Sequence, residues 1–150
     1  MFVKQKHINR NGLRIRNDAG LHPEVKRACT EFACWLRKEE QFPIRITVYI
    51  KNVSHIKALD GEMVSATCFL PFSKSEEPYA KVSAGDFESE MKKIGKDNAL
   101  AEILHSVAHE LTHYFCWIND DDMTDDEEEH YAKEYADWLL DSYAMTRVHP

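Results

Sequence analysis

Apolar positions recur along the chain at two different spacings, and the switches between them mark its elements. After His22-Pro23, the residues Val25, Ala28, Cys29, Phe32 and Leu36 return every three or four positions until Gln41 and Pro43, the period of an amphipathic helix with proline suited to its first turn. Ile44, Ile46, Val48 and Ile50 then alternate with Arg45, Thr47, Tyr49 and Lys51, which sets four branched residues on one face of a strand. Turn chemistry around Asp60-Gly61 fills residues 52–62, after which 65–72 reads as a second strand and 79–84 as a third. Pro71 and Pro78 cannot donate to a ladder, so both later strands are expected at or near a sheet edge. Helical spacing returns over 97–118 with Leu100, Ile103, Leu104, Val107, Leu111, Tyr114, Phe115 and Ile118 on one side. A last helix is predicted over about 125–145, its core stripe being Ala132, Tyr135, Ala136, Leu139, Leu140 and Tyr143. Near the start, Asn11-Gly12 stands between two short stretches containing apolar residues, a hairpin signal over 7–16, so residues 1–21 are expected to form a basic hairpin or arm.

A chain of 150 residues, 43% hydrophobic and 30% charged, fits one α+β domain over 1–150, with no internal repeat or low-complexity linker. At that length a fold hides roughly 68–70% of its unfolded surface, so a core forms without metal or disulfide, and any metal is functional first. No stretch approaches 18 apolar residues, and residues 1–6 lack the apolar middle of an export signal, so no membrane partner and a cytoplasmic location are expected. Cys29, Cys34, Cys68 and Cys116 form neither a C-x-x-C pair nor a dense framework, which favours reduced thiols serving as small core hydrophobes. The net charge of -7 is uneven, with basic residues in excess over 1–51 and acidic ones over 52–150. No aromatic residues interleave with the basic ones and the whole chain is acidic, so nucleic acid is a poor partner.

The chemistry concentrates in His109-Glu110-Leu111-Thr112-His113, an H-E-x-x-H arrangement on a predicted helix. Residues four apart stand one turn up the same face with Cβ atoms about 5–6 Å apart, so two imidazoles converge on one Zn²⁺. Glu110 points about 100° away, unsuited to ligation but placed to take a proton from water in an open coordination position. With 8 His in the chain, chance placement gives this pattern in roughly 4% of shuffled versions, and context lowers that figure. Glu102, His105, Ser106, His109, His113 and Cys116 share one side of the helix while the apolar residues cluster about 180° away, with Ala99, Ala101 and Ala108 on slim flanks. Such a second face lines a cleft; a merely solvated one carries Lys and Glu.

A catalytic zinc has three protein ligands and one open position, so a further element must supply the third. Cys116 and His105 each lie a turn beyond the histidine pair and are poorly placed. The last helix is better placed: Thr124-Asp125-Asp126-Glu127 is a capping box, which makes Glu128 and Glu129 helical from the outset. Both fall about 50° from the core stripe, whereas His130 and Glu134 fall about 150° and 170° away and should face solvent. Helical phase leaves Glu128 and Glu129 level. The rest of the acidic run over 120–129 reads as a solvated loop and first turn, without the D-x-D-x-D-G pattern of a calcium loop.

With one helix, a small sheet, the H-E-x-x-H helix and a following glutamate-bearing helix, the chain resembles a minimal zincin of the gluzincin type. Glu129-x-x-Ala132-x-x-Tyr135-Ala136-x-x-Leu139-Leu140 resembles the second signature of ImmA/IrrE-type metallopeptidases, where a glutamate three residues before an alanine completes the zinc site. The resemblance implies Glu129 as third ligand. It is specific over 105–118 and 129–140 and departs at Lys133, where that family has Asn, and at Asp141-Ser142, where it has Met-Pro. A SprT-like affiliation is the neighbouring option, although that zinc site uses a third histidine without an obvious counterpart here.

The expectation is zinc-dependent peptide hydrolysis, with His109, His113 and Glu129 holding Zn²⁺ and Glu110 as general base, acting on a protein or peptide substrate. Family likeness implies limited cleavage of an intracellular protein, such as a transcriptional repressor. Tyr135 stands at about the right place along its helix to stabilise an oxyanion, although a tyrosine on a core stripe is more often packing, and an edge strand over 65–72 or 79–84 offers a peptide a place on the sheet. The rival reading is a non-catalytic module that keeps zinc for shape and docks partners through its basic start; a retained Glu110 argues against it, since a structural site has four closed ligands and no base.

Overall fold

A computed structural model describes residues 10–150 and gives an α+β fold of four helices with two small sheets. Strand β1 (Leu13–Asn17) leads into helix α1 (Pro23–Glu39), which returns the chain to β2 (Ile46–Lys51). A two-stranded hairpin of β3 (Ile56–Lys57) and β4 (Met63–Val64) closes around Asp60-Gly61, with Gly61 at φ +90°. Strands β5 (Ala66–Phe69) and β6 (Tyr79–Ser83) precede the short α2 (Phe87–Ile94), the long α3 (Lys96–Ile118) and α4 (Asp125–Ala144).

The main sheet has the order β1-β2-β6-β5, with β1, β2 and β6 parallel and β5 antiparallel at one edge. Register places Val48 beside Ala80 and Ala80 beside Cys68, so Ile46, Val48, Ile50, Ala80 and Val82, all fully buried, make one apolar face continued at the edge by Cys68 and Ala66. Helices α1 and α3 lie together against the sheet, and α4 packs on α3 as an outer layer, its buried side being Ala132, Ala136, Leu139 and Tyr143. Each large side chain closed off at this centre, such as Leu104, Leu111 or Leu139, contributes about 1.5–3 kcal/mol. Polar closure accompanies it: the buried Tyr114 hydroxyl donates to the carbonyl of Ile44 and accepts from the Ile44 amide at 3.2 Å, tying α3 to the entrance of β2.

Several sequence expectations need correction. Asn11-Gly12 makes no hairpin among the described residues. Gly12, at φ +106°, donates to Phe42 O and accepts from Ile46 N, which starts β1 parallel to β2; residues 7–9 of the expected hairpin lie outside the described residues. The two later strands do lie at and next to an edge, β5 being the edge strand and β6 its neighbour, where Pro78 precedes the first ladder residue and costs it no donor. Cys34 is exposed on α1 and is no core residue, unlike the buried Cys29 and Cys116. No element was expected between 85 and 96, where α2 forms; with Phe87 as its one buried residue, it has too short an apolar pattern to register.

Candidate metal centre

Helix α3 is long enough, at 23 residues, to serve two purposes along one rod. Its inner side, from Leu100 to Tyr114, is spent on the core, and its second side carries His105, His109 and His113 at intervals of four. The rings of His109 and His113 lie 5.1 Å apart between centroids, at 70° to each other. Across from them stands the first turn of α4, held by the capping box that the sequence indicates: the Thr124 hydroxyl accepts from the Glu127 amide at 3.2 Å, and the Glu127 carboxylate accepts from the Thr124 amide at 3.0 Å.

That turn brings two carboxylates to the histidines in different ways. Glu129 spans the pair, with Oε2 3.2 Å from His109 Nε2 and Oε1 2.8 Å from His113 Nε2. Glu128 approaches from the other side of the ring and accepts from His113 Nδ1 at 2.5 Å. The level pair left by helical phase is thus separated by geometry: ligand atoms of His109, His113 and Glu129 all lie within 4.8 Å of one another, and Glu128 braces His113 from behind. Donors about 2.0–2.1 Å from a tetrahedral Zn²⁺ stand about 3.3 Å apart, and each Glu129 oxygen lies near that spacing from one imidazole, so these three residues could hold a metal ion. The Glu128–His113 contact is the carboxylate–histidine arrangement that fixes a ligand's tautomer. Sequence reading weighed Glu128 only as a ligand; its Nδ1-facing role is set by the crossing of α3 and α4.

Glu110, between the two histidines in sequence, is 8% exposed, and its carboxyl has no hydrogen bond or ion pair among the described residues. Burial pushes its carboxyl up to about 7; the His113 charge opposes the rise and Glu129 adds to it. Burial alone lowers both imidazoles. It prevails at His109, whereas at His113 the hydrogen bond to Glu128 and the charges of Glu110, Glu129 and Glu128 outweigh it and favour the cation. Cys68, on the edge strand, has its thiol raised first by burial and then by the charges of Glu110 and Glu128, which places β5 near both carboxylates. The indole of Trp117 donates to the carbonyl of Pro71 at 2.9 Å and pins the chain leaving β5 to the end of α3.

Other sequence candidates fall away from this centre. His105 bonds Asp137 across the α3–α4 seam at 2.8 Å, and Cys116 is buried near Asp121 and Glu128. His130 and Glu134 pair with each other in solvent at 2.9 Å, as their phase requires. Tyr135 is no oxyanion donor: its hydroxyl donates to Glu40, and its ring stacks between Tyr131 and Trp138. No helix among the described residues is long and apolar enough to cross a membrane. Comparison with family models, curated proteins and solved structures yields no match, so what can be said of function rests on these residues themselves.

Proposed function

We propose that this protein is a zinc-dependent peptidase with the layout of a minimal gluzincin, in which His109, His113 and Glu129 hold the ion and Glu110 is the general base. The observation that carries the reading is Glu110: a buried carboxyl without a hydrogen bond, beside three converging metal donors, is costly to folding and suited to proton transfer near neutral pH. A site kept only for shape has no use for it.

A Zn²⁺ ion in this donor set supplies Lewis acidity, making a nearby water more acidic and a peptide carbonyl more electrophilic. Glu110 takes the water's proton as the oxygen attacks the carbonyl carbon, and hands it to the amide nitrogen as the C–N bond breaks. By occupying Nδ1 of His113, Glu128 would leave Nε2 as the nitrogen that holds the ion. Strand β5 is the edge strand among the described residues and lies near Glu110, where an extended polypeptide would add to the sheet through its own backbone groups. On this reading the substrate is a protein segment in extended form, not a small ester.

The test is metal analysis and peptide cleavage on wild type, Glu110→Gln, Glu128→Ala and Glu129→Ala. One zinc per chain in wild type and Glu110→Gln, with chelator-sensitive cleavage in wild type alone, is the expected result, together with loss of the ion in Glu129→Ala. Full cleavage by Glu110→Gln, or zinc retained by Glu129→Ala and lost from Glu128→Ala, refutes the assignment.

A further inference from the structure

A cavity of about 590 Å³ lies away from the histidine pair, farther along the same helix pair, between the first half of α3 and the last turns of α4. Its floor is apolar, from Ile94, Ala101, Leu140, Ala144 and Val148. Its rim is acidic in effect. Arg147 there is already paired with Glu31 at 3.2 Å and the His149 ring is bonded to Asp97 at 2.7 Å, whereas the carboxylates of Glu102 and Asp141 have no hydrogen bond or ion pair among the described residues. The groove joins the metal centre through His105, which lines it and whose ring is 6.4 Å from that of His109.

We infer that this groove is a second binding site, taking a segment of polypeptide that carries a large apolar side chain next to a lysine or arginine. The apolar floor selects the first residue by area removed from water, and the two unpaired carboxylates select the second by charge. Distance along α3 fixes where that pair lies relative to the centre. With a rise of 1.5 Å per residue, His105 is about 6 Å from His109 and Asn98 about 16 Å, which an extended chain at about 3.3 Å per residue covers in two to five residues. The site therefore reads sequence two to five residues to one side of the position held at the metal centre. Only the fate of the bound segment depends on the peptidase reading; the groove and its preference stand apart from it.

The test uses the zinc-supplemented full chain bearing Glu110→Gln, so that bound peptide is not consumed, to select from random 12-residue peptides on display. The expected result is enrichment of Leu, Ile, Phe or Met adjacent to Lys or Arg. Ala144→Trp, which fills the groove from an exposed position, is expected to weaken the selected peptides about thirtyfold, the equivalent of burying one large apolar side chain. Glu102→Lys with Asp141→Lys should instead abolish the preference for a basic neighbour while keeping the apolar one. Unaltered affinity in Ala144→Trp at wild-type thermal stability, enrichment of any other pattern, or no enrichment at all overturns the proposal. Wild-type protein incubated with the selected peptides separates the two claims: peptides that bind in the groove yet stay intact refute the peptidase and leave the groove standing.

Discussion

Replacing Glu110 with glutamine should stabilise the metal-free protein, and by an amount that grows with pH. The folded carboxyl is raised from its ordinary 4.5 to about 7 by burial. Because the folded-state value is the higher one, its proton is held more tightly in the native state; that contribution is fully present below pH 4.5 and lost as pH rises through about 7. At 1.36 kcal/mol per unit, the ionised side chain costs the fold about 3 kcal/mol at pH 8, a cost glutamine does not carry. Wild type and Glu110→Gln, both with chelator so that no cation holds the carboxylate ionised, are therefore expected to unfold at nearly the same temperature at pH 4.5. At pH 8 the variant should melt higher by roughly 6–12 °C for a chain of this length. Calorimetry or denaturant titration at pH 4.5, 6, 7 and 8 measures the gap. A difference that is constant across that range, or one that reverses sign, refutes the claim that Glu110 sits unpaired in the folded protein, and with it the argument that stability is sacrificed there for proton transfer.

Three further outcomes follow from the same geometry. Glu128→Gln should keep the fold but weaken zinc binding about 10- to 100-fold, as is usual for loss of a carboxylate behind a ligating histidine; competition with a chromophoric chelator measures it. Thr124→Ala removes the cap of the turn that carries Glu128 and Glu129, so it should cost about 0.5–2 kcal/mol in denaturant unfolding and also lower zinc affinity, whereas a substitution of exposed His130 should leave that affinity unchanged. Tyr114→Phe strips two buried backbone groups of Ile44 of their partner and should lower stability by about 1–3 kcal/mol, read as a shift in the denaturant midpoint with unchanged slope.

The long elements were legible because their periods are strong. Helices α1, α3 and α4 end within a residue or two of where the apolar spacing and the Thr124 box place them, and β2 shows the alternation that Ile46, Val48 and Ile50 announce. What failed was partnership. Asn11-Gly12 reads locally as a reversal, yet Gly12 uses its left-handed backbone to enter a strand paired in parallel with one some thirty residues later, a long-range choice with no local signature. Pro78 is accommodated in β6, next to the edge as expected, because the ladder begins one residue beyond it. At the candidate site, His109, Glu110 and His113 are fixed by spacing on a single helix. The division of labour between Glu128 and Glu129 is set by how α4 crosses α3, and the groove beyond His105 is set by the final turns of α4 and the residues after it; neither is written in any one segment's period.

Because the Thr124 box holds the start of α4, where Glu128 and Glu129 ride, while Ala136, Leu139 and Tyr143 anchor its later turns in the core, the scaffold under both carboxylates is set by capping and packing alone. If the proposed ion binds, metallation is then a late step on a chain already folded, not a condition for acquiring the fold. On the proposed reading such a chain would be stored empty and loaded on demand, with ion supply setting how many copies are competent at a given moment.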